Sequence, residues 1–329
     1  MSNKPGKLLD FLHKTLSVKP NARWKEEDFL RLLSAASSRK TYLEVMNDEE
    51  MPNADTFHYR ITTDTEVNKL SQTFLDLTRK QLKKLKGKKA ILILDYTCEP
   101  FFGYTRSEWI HGYRPVAGSR GCYKFLAASI LVGEQRYFVY AKPVCDIADE
   151  ALEICQILAH LCAFGIKIKA ALMDRGFARD SENLALLQDM GIKYLGLYPK
   201  YPNIKKIIKA MEHAYKNCKF RVKGVPTRLV IGKDAKRKFA WVFVTNMELS
   251  DFWKYVQLYK KRWNIETGFR MQDEAQIKTK SIDIRVRFFL FLCALVMYNS
   301  WKSLRIKMSF KRFVLFVERS VARDERKPT

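Results

Sequence analysis

The sequence predicts a mixed α/β protein in which helices cover both faces of a sheet, and three observations support this class. Two apolar runs, AILILDYT (90–97) and IKIKAALMD (166–174), are typical of buried strands. Segments with helical periodicity alternate with such strands in the middle of the chain, as in three-layer α/β proteins. Hydrophobic residues make up 47% of the 329 residues, which is enough for a large core and excludes disorder throughout.

Residues 1–86 are predicted to form a helical, basic region. Helical periods occur in KEEDFLRLLSAAS and in EVNKLSQTFLDLTRKQLKKLK, with Asp64 and Thr65 as N-cap candidates for the second helix. MPNADTFHYRI, between them, indicates a turn and a brief helix. The HYR triplet at 58–60 would then lie on the second helix of a helix-turn-helix reader of DNA, although an ordinary helical bundle fits the same pattern.

The central region, residues 87–304, alternates strands and helices. After the strand 90–97, KFLAASILV and QRYFVYAKPV flank Gly133-Glu134 and predict a hairpin. An amphipathic helix over 146–165, the strand 166–174, the helix SENLALLQDMG and the strand IKYLGLYP follow. Three strands, then helix, strand, helix and strand, is the element order of a ribonuclease-H-like core.

A β-rich insertion is predicted at about 200–248, inside this central region. It opens with YPNIKKIIKAMEHAYKNCKF, which we interpret as a basic helical patch. A meander of short strands follows, marked by glycine, proline and aspartate. Helices resume at about Ser250 and include an apolar helix over 286–304, and residues 305–329 form a basic tail.

The charge of the chain points to a polyanionic partner. Sixty Lys and Arg against 35 Asp and Glu give a formal net charge of +25, and DNA is the expected ligand. Arg79–Lys89 holds seven basic residues and no acid. The Lys-rich segment 205–223 either lines a DNA channel or is a solvated face.

Membrane insertion and a disulfide framework are not expected. The longest apolar run, 288–298, is about half of the ~20 residues that a membrane span needs, so it predicts a buried helix. The N-terminus lacks a signal-peptide apolar stretch, and the seven cysteines are scattered. We therefore expect a cytoplasmic, nucleoid-associated protein.

Acidic residues at strand ends are the candidates for chemistry. Asp95 and Asp174 each end a buried strand, where together they could hold Mg²⁺ for phosphodiester cleavage. Either one alone is better explained as a strand-end turn residue or helix N-cap, but this explanation weakens for the pair because both stand at the same topological position. In YKKRWNIETGFR, Tyr259, Arg262 and Glu266 fall on one helix face, as they would also in a solvated salt-bridge ladder.

Together these motifs resemble the DDE transposases of insertion sequences. LILDYT, LMDRGF, a β-rich insertion ending in VFVTN, and Y-x2-R-x3-E in YKKRWNIE are similar to the class with a Tyr-Arg-Glu-Lys signature, and DYTCEPFFGY resembles an archaeal subgroup. The resemblance covers roughly residues 88 to 300. It implies that Asp95, Asp174 and Glu266 hold Mg²⁺ or Mn²⁺, and that Tyr259 and Arg262 contact DNA near the cleaved end.

The resemblance fails at one position of the signature. The lysine expected seven residues after the glutamate is replaced by Asp273, which would repel phosphate. Arg270 is our candidate substitute, and an Arg270–Asp273 surface pair without a DNA role is the alternative. Lys280 would share the face if the helix continued that far.

Four further residues have a structural and a functional interpretation. Glu99 and Asp180 are expected to be turn or cap acids rather than metal ligands, and His160 a packed histidine. Trp241 is expected in a core, although it could stack on an unpaired base.

The resemblance implies a transposase that cleaves at terminal inverted repeats and joins the ends to target DNA, acting as a homodimer on paired double-stranded ends. The alternatives are a ribonuclease-H-like nuclease that cleaves without joining, and a transposase-derived DNA-binding protein without catalysis. The Asp273 departure supports the second alternative, and the intact acidic triad opposes it.

Overall fold

A mixed β-sheet with helices on both faces forms the centre of the protein. The computed structural model describes residues 6–46, 48–145, 149–211, 213–234, 239–304 and 308–324, with the backbone alone for Asp234, 263–272 and 322–324. Within these residues the sheet has nine strands: β1 (Lys89–Phe101), β2 (Ile110–His111), β3 (Gly121–Val132), β4 (Gln135–Val144), β5 (Lys167–Met173), β6 (Lys193–Leu197), β7 (Tyr215–Val222), β8 (Val225–Asp234) and β9 (Phe239–Thr245).

Helices precede the sheet, connect its strands and follow it. The described helices are α1 (Gly6–Thr15), α2 (Glu26–Arg39), α3 (Ala54–Asp64), α4 (Val67–Lys83), α5 (Glu150–Ala163), α6 (Arg175–Ala178), α7 (Ser181–Asp189), α8 (Pro202–Ala210), α9 (Phe252–Asp273), α10 (Ile284–Ser303) and α11 (Phe310–Asp324). The observed class is mixed α/β, as the sequence predicts.

The predicted N-cap of α4 is wrong, because both candidate residues belong to the end of the preceding helix, α3. Asp64 is the last residue of α3, and Thr65 is the C-cap of that helix. The Thr65 hydroxyl donates to the Ile61 carbonyl at 2.7 Å, so it ends the preceding helix and does not start the next. Glu66 is the N-cap of α4. The helical pattern continues through the threonine-rich end of α3, so the sequence does not show where this helix ends. Side chains that form caps can also bond at either end of a helix.

β1 lies between β3 and β5, so the two strands that lead to the candidate aspartates are neighbours in the sheet. β1 pairs with β3 in antiparallel and with β5 in parallel orientation, and β5 pairs in parallel with β6. β4 and the short β2 both pair with β3. The predicted β3–β4 hairpin is confirmed, with Gly133 at φ +60° in its turn.

The predicted insertion extends the main sheet. β9 pairs with β6 in antiparallel orientation, and β8 and β7 follow outward. The helix predicted over 201–220 is correct only as far as Ala210, because Tyr215–Val222 pairs with β8 along its whole length. The basic pattern of this segment concealed a strand whose partner lies further along the chain.

The two faces of the sheet are covered by different helices. Even-numbered residues of β1 such as Leu92 and Leu94 pack in one core with α5 and α7. On the other face Ile93 packs with α9. The remaining part of that face, from β3 and β4, shares a core with α1 to α4, α10 and α11. This is the three-layer arrangement.

The C-terminal part of the chain contributes two helices to this core. α10 is long and apolar enough to cross a bilayer by length and composition, and 83% of its apolar window is buried inside the protein. Within the segment predicted as a basic tail, α11 buries Phe313 and Val317 against the helices that precede the sheet.

Candidate active site

Asp95 and Asp174 lie side by side on neighbouring strands. The last register pair of β1 and β5 is Leu94 with Met173, so the two aspartates follow directly at adjacent positions. Parallel strands lie about 4.8 Å apart, which brings the two carboxylates to one edge where β5 ends and β1 continues. The expectation that the two strands are adjacent is confirmed.

The Asp174 carboxylate is held by the chain that follows it. Its Oδ1 accepts hydrogen bonds from the backbone N–H groups of Gly176 and Phe177 at 2.9 and 3.2 Å, so Asp174 caps α6. A Cβ on Gly196 of β6 would come within 2.4 Å of the Ala178 Cβ. A glycine at 196 therefore lets α6 lie close to the sheet, which positions Asp174.

A stacked aromatic pair connects the two aspartates. The rings of Tyr96 and Phe177 are parallel within 9°, with centroids 4.5 Å apart, and each follows one of the aspartates closely in sequence. The Tyr96 hydroxyl donates to Glu150 Oε1 at 2.5 Å. Burial, and secondly Glu150, raise the pKa of Tyr96, so the phenol remains a donor. Sequence reasoning missed this contact between the two rings, although the segments DYT and DRGF contain both residues.

Arg262 forms a buried ion pair with Asp95. Its Nη1 lies 2.5 Å from Asp95 Oδ2, and the two side chains are 7% and 9% exposed. Tyr259 is fully buried one turn earlier, in the core that also holds Trp241 and Phe243. Burial raises the pKa of Tyr259, while Arg262 lowers it and the two aspartates raise it.

The structure thus places Tyr259 and Arg262 on the sheet-facing side of α9, together as predicted. Both side chains are buried, and their contact with DNA stays a prediction. Glu266 follows Arg262 by four residues in α9, one turn along the helix. Its side chain, like that of Arg270, lies outside the described residues.

Arg136 is a second buried arginine at this site. It lies in β4, is 4% exposed, and its Nη2 donates to the Lys261 carbonyl of α9 at 3.0 Å. Burial lowers its pKa, which Tyr298 and Asp95 oppose. Sequence reasoning missed Arg136. The indication in the sequence was a single charged residue within the strand segment QRYFVY.

The position at which α9 ends tests the expectation that Lys280 lies on this helix. The helix ends at Asp273, which is exposed, and residues 274–283 connect it to α10. Lys280 lies in this connection, so the condition that the helix reaches it is not met. Its exposed side chain comes after the end of α9 and does not lie on the helix face on which the prediction depended.

The four residues with two interpretations have mostly structural roles. Asp180 caps α7, as expected, by accepting from the Glu182 N–H. Trp241 is buried in the α9 core, and His160 packs on Phe164. Glu99 is neither a turn nor a cap residue: it lies within β1 and pairs with Arg287 of α10.

Comparison with known proteins identifies the class of protein to which this mixed α/β fold, with its paired strand-end aspartates, belongs. A family model described as "Transposase DDE domain" matches residues 86–299. The chain therefore belongs to the transposase DDE domain family and is a transposase. None of the curated proteins compared with the chain matches it significantly.

One solved transposase structure shares the fold, and a second shows a weaker similarity. The protein of the cryo-EM structure "piggyBac transposase synaptic complex with hairpin DNA" is 14% identical, with a TM-score of 0.63 over 99% of this chain and 82% of that chain. The Drosophila P element transposase strand transfer complex is 16% identical over 53% of this chain and 37% of that chain, with a TM-score of 0.31. The first similarity shows the fold.

The residues at the site fit a divalent cation. The carboxylates of Asp95 and Asp174, at adjacent strand positions, are oxygen donors of the kind that Mg²⁺ takes. No cluster of three His, Cys, Asp or Glu occurs among the residues with described side chains, a set that does not include Glu266. The guanidinium on Asp95 is itself a cation in this pocket.

Proposed function

We propose that the protein is a metal-dependent DDE transposase that cleaves DNA at terminal inverted repeats and transfers the freed strand to target DNA. The observation that carries this proposal is the placement of Asp95 and Asp174 at adjacent positions of β1 and β5 in a chain of the transposase DDE domain family. The strand order around β1 also supports a ribonuclease-H-like core.

Asp95, Asp174 and Glu266 would hold Mg²⁺ or Mn²⁺. The bound metal would stabilise negative charge on the phosphodiester and activate the attacking oxygen. The side chains of the site supply orientation. The α6 N-terminus and the Tyr96–Phe177 stack hold Asp174, while Arg136 holds the segment of α9 that precedes Glu266.

Arg262 has a role that the geometry makes specific. Without metal it neutralises Asp95, so that two adjacent carboxylates do not repel each other in a buried site. Metal and DNA would compete with this pair, releasing the guanidinium for a phosphate. Tyr259 would then act through packing on Arg262, whose guanidinium carbon lies 5.2 Å from its ring centroid.

The double-stranded DNA partner would be bound mainly by charge. The net charge of +25, with exposed lysines along 83–89 and on α8, supports a phosphate-binding surface. Arg270 and Lys280 would add contacts near the cleaved end, in place of the lysine that Asp273 replaces. We further propose a homodimer on paired ends, located in the cytoplasm on the nucleoid.

Glu266→Gln provides the test of the proposed chemistry. The variant removes one charge from the proposed metal set, so cleavage of a DNA substrate carrying the element ends should fall at least about 10³-fold, while DNA affinity remains near that of wild type. Cleavage is measured with Mg²⁺ on gels, and affinity by anisotropy. Near-normal cleavage by the variant would reject the triad.

A strand-transfer assay separates transposition from simple cleavage. A pre-cut end with a free 3′-hydroxyl should be joined to a target plasmid by the wild-type protein with Mg²⁺ or Mn²⁺. Cleavage without joining would instead identify a nuclease. Binding with neither reaction would identify a DNA-binding protein that has lost catalysis.

A further inference from the structure

A second polar site lies further along β1, beyond the proposed catalytic residues. A cleft of about 520 Å³ opens between the loop that follows β1 and the connection 274–283 between α9 and α10. These two segments are continuous with the elements that carry Asp95 and Glu266. The volume falls within the range of small-ligand sites.

The floor of the cleft is a buried ion pair. Glu99 Oε1 accepts from Arg287 Nη1, and the side chains are 17% and 6% exposed. Arg287 Nε also donates to the Ser281 carbonyl at 2.6 Å, which binds the α9–α10 connection to the sheet. The guanidinium lies 4.4 Å from the centroid of the Tyr123 ring. Arg287 therefore joins Glu99 of the sheet to the α9–α10 connection.

The far wall of the cleft is held by Glu44. Its Oε1 accepts from the Thr279 hydroxyl at 2.5 Å and from the Lys280 N–H at 2.8 Å. The connection is thus fixed from both sides, by Arg287 and by Glu44. A cleft whose walls are fixed before binding loses less conformational entropy when a ligand enters.

Two aromatic side chains at the cleft are exposed. Phe102 is 55% and Tyr42 is 40% exposed, and both line the cleft. Tyr104, two residues after Phe102, is exposed and carries the Arg120 guanidinium over its ring. Exposed aromatic faces beside cations are the features with which proteins stack unpaired bases.

The charge of the cleft favours an anion. Its lining contains the basic residues Lys278, Lys280 and Arg287, and the acid Glu99, which Arg287 neutralises. The two lysines are exposed. Base stacking and phosphate binding are therefore available within one cleft.

The cleft lies within reach of the same DNA strand as the proposed catalytic site. Glu99 follows Asp95 by four residues on the same face of β1, which corresponds to about 13 Å along the strand. Stacked DNA rises about 3.4 Å per nucleotide, so roughly four nucleotides span this distance.

We propose that this cleft binds an unpaired nucleotide of the DNA strand that crosses the catalytic site, with its base against Phe102 and Tyr42 and its phosphate at Lys278 and Lys280. The proposal rests on the proposed function, since it requires DNA to run along β1. It adds a site for single-stranded DNA next to the site of cleavage.

Binding of two DNA probes by the full-length protein tests the proposal. The probes are a random-sequence duplex with blunt ends and the same duplex with a short single-stranded thymidine tail, each measured by fluorescence anisotropy without metal. The wild-type protein should prefer the tailed probe by about tenfold, the effect of one stacked base. Phe102→Ala should remove most of this preference while blunt-duplex affinity stays within about twofold.

Two matched variants keep this test specific. Trp253→Ala removes an aromatic that is 52% exposed at the opposite end of α9, about 30 Å away along the helix, and should retain the preference. Tyr42→Ala, on another segment, should repeat the loss seen with Phe102→Ala. A 2-aminopurine in the tail should be quenched by the wild-type protein and not by Phe102→Ala.

The outcomes separate this inference from the proposed function. A wild-type protein with equal affinity for both probes, or a Phe102→Ala variant that keeps the preference, would overturn the cleft as a nucleotide site and leave transposition untouched. A wild-type protein that binds neither probe would overturn both.

Discussion

Two buried carboxylate–arginine pairs lie on one face of β1, four residues apart, and they differ in their surroundings. Asp95 pairs with Arg262 of α9, and Glu99 pairs with Arg287 of α10. Arg287 also donates to backbone carbonyls of the α9–α10 connection. Among the described residues, none of those paired with β1 beside Glu99 is acidic. Asp95 has Asp174 beside it on β5.

The comparison shows how neighbours decide what an ion pair does. The Glu99 pair is balanced, one carboxylate against one guanidinium, and it joins the sheet to the helix connection. At Asp95 a second carboxylate, that of Asp174, lies at the adjacent strand position, and Arg136 is a second buried arginine near the pair. Two carboxylates at adjacent positions offer the oxygen ligands that a metal ion takes, whereas a single carboxylate bound by one guanidinium does not.

The largest expected difference between the two pairs is in catalysis. Asp95→Asn should reduce Mg²⁺-dependent cleavage at least about 10³-fold, because a metal ligand supplies several kcal/mol of transition-state stabilisation. Glu99→Gln should retain cleavage within about tenfold, measured on the same substrate at a temperature where both variants are folded by circular dichroism. Equal losses in the two variants would show that both acids serve the chemistry.

The next difference concerns stability and its response to metal. Removing one partner of a buried ion pair costs about 3–5 kcal/mol, so Arg287→Met and Arg262→Met should both lower the free energy of unfolding in urea. Millimolar Mg²⁺ should restore much of the loss in Arg262→Met only, because metal bound to the native state neutralises Asp95 instead.

Arg287→Met is the internal control for this experiment. Its vacated partner, Glu99, has no acid beside it on β5, since β1 pairs with β5 only as far as Leu94. If Mg²⁺ stabilised both variants equally, the difference that we draw between the two pairs would be wrong.

The smallest expected effect is a dependence of the free energy of unfolding on pH, caused by His58, which lies on the same side of the protein as the Glu99 pair. Burial lowers the pKa of His58, against the raising effects of Glu44, Asp55 and Asp283. A histidine with a lowered pKa in the folded state stabilises the protein above its unfolded pKa of about 6.5, and this stability is lost as the pH falls. The loss is at most about 1.4 kcal/mol per pH unit.

Urea unfolding between pH 5 and 8 measures this effect. His58→Gln should flatten the dependence of the free energy of unfolding on pH, whereas Trp253→Ala, which removes no titratable group, should keep the wild-type slope. A wild-type protein whose stability rises as the pH falls through this range would contradict the assignment to His58.

Much of the fold could be predicted because its elements are encoded locally. The strands at 90–97 and 166–174 and the hairpin at Gly133 follow from apolar runs and turn residues. The β7 strand could not be predicted from its own residues. Its stability depends on pairing with β8, and its composition is that of a basic helix.

For the candidate site, the sequence determined which residues are candidates for chemistry. Two aspartates at strand ends and a helix face with tyrosine, arginine and glutamate are visible as spacing and residue type, because strand and helix periods are local properties. Family resemblance then assigned the acids their expected roles.

Only the tertiary structure decided how these groups are paired. That Arg262 neutralises Asp95, that Arg136 reaches α9 from β4, and that Glu99 joins Arg287 in the floor of a cleft are contacts between residues more than a hundred positions apart. Such contacts arise from the packing of α9 and α10 on the sheet. The energy of a charge depends on its burial and on its neighbours, and neither is a property of the local sequence.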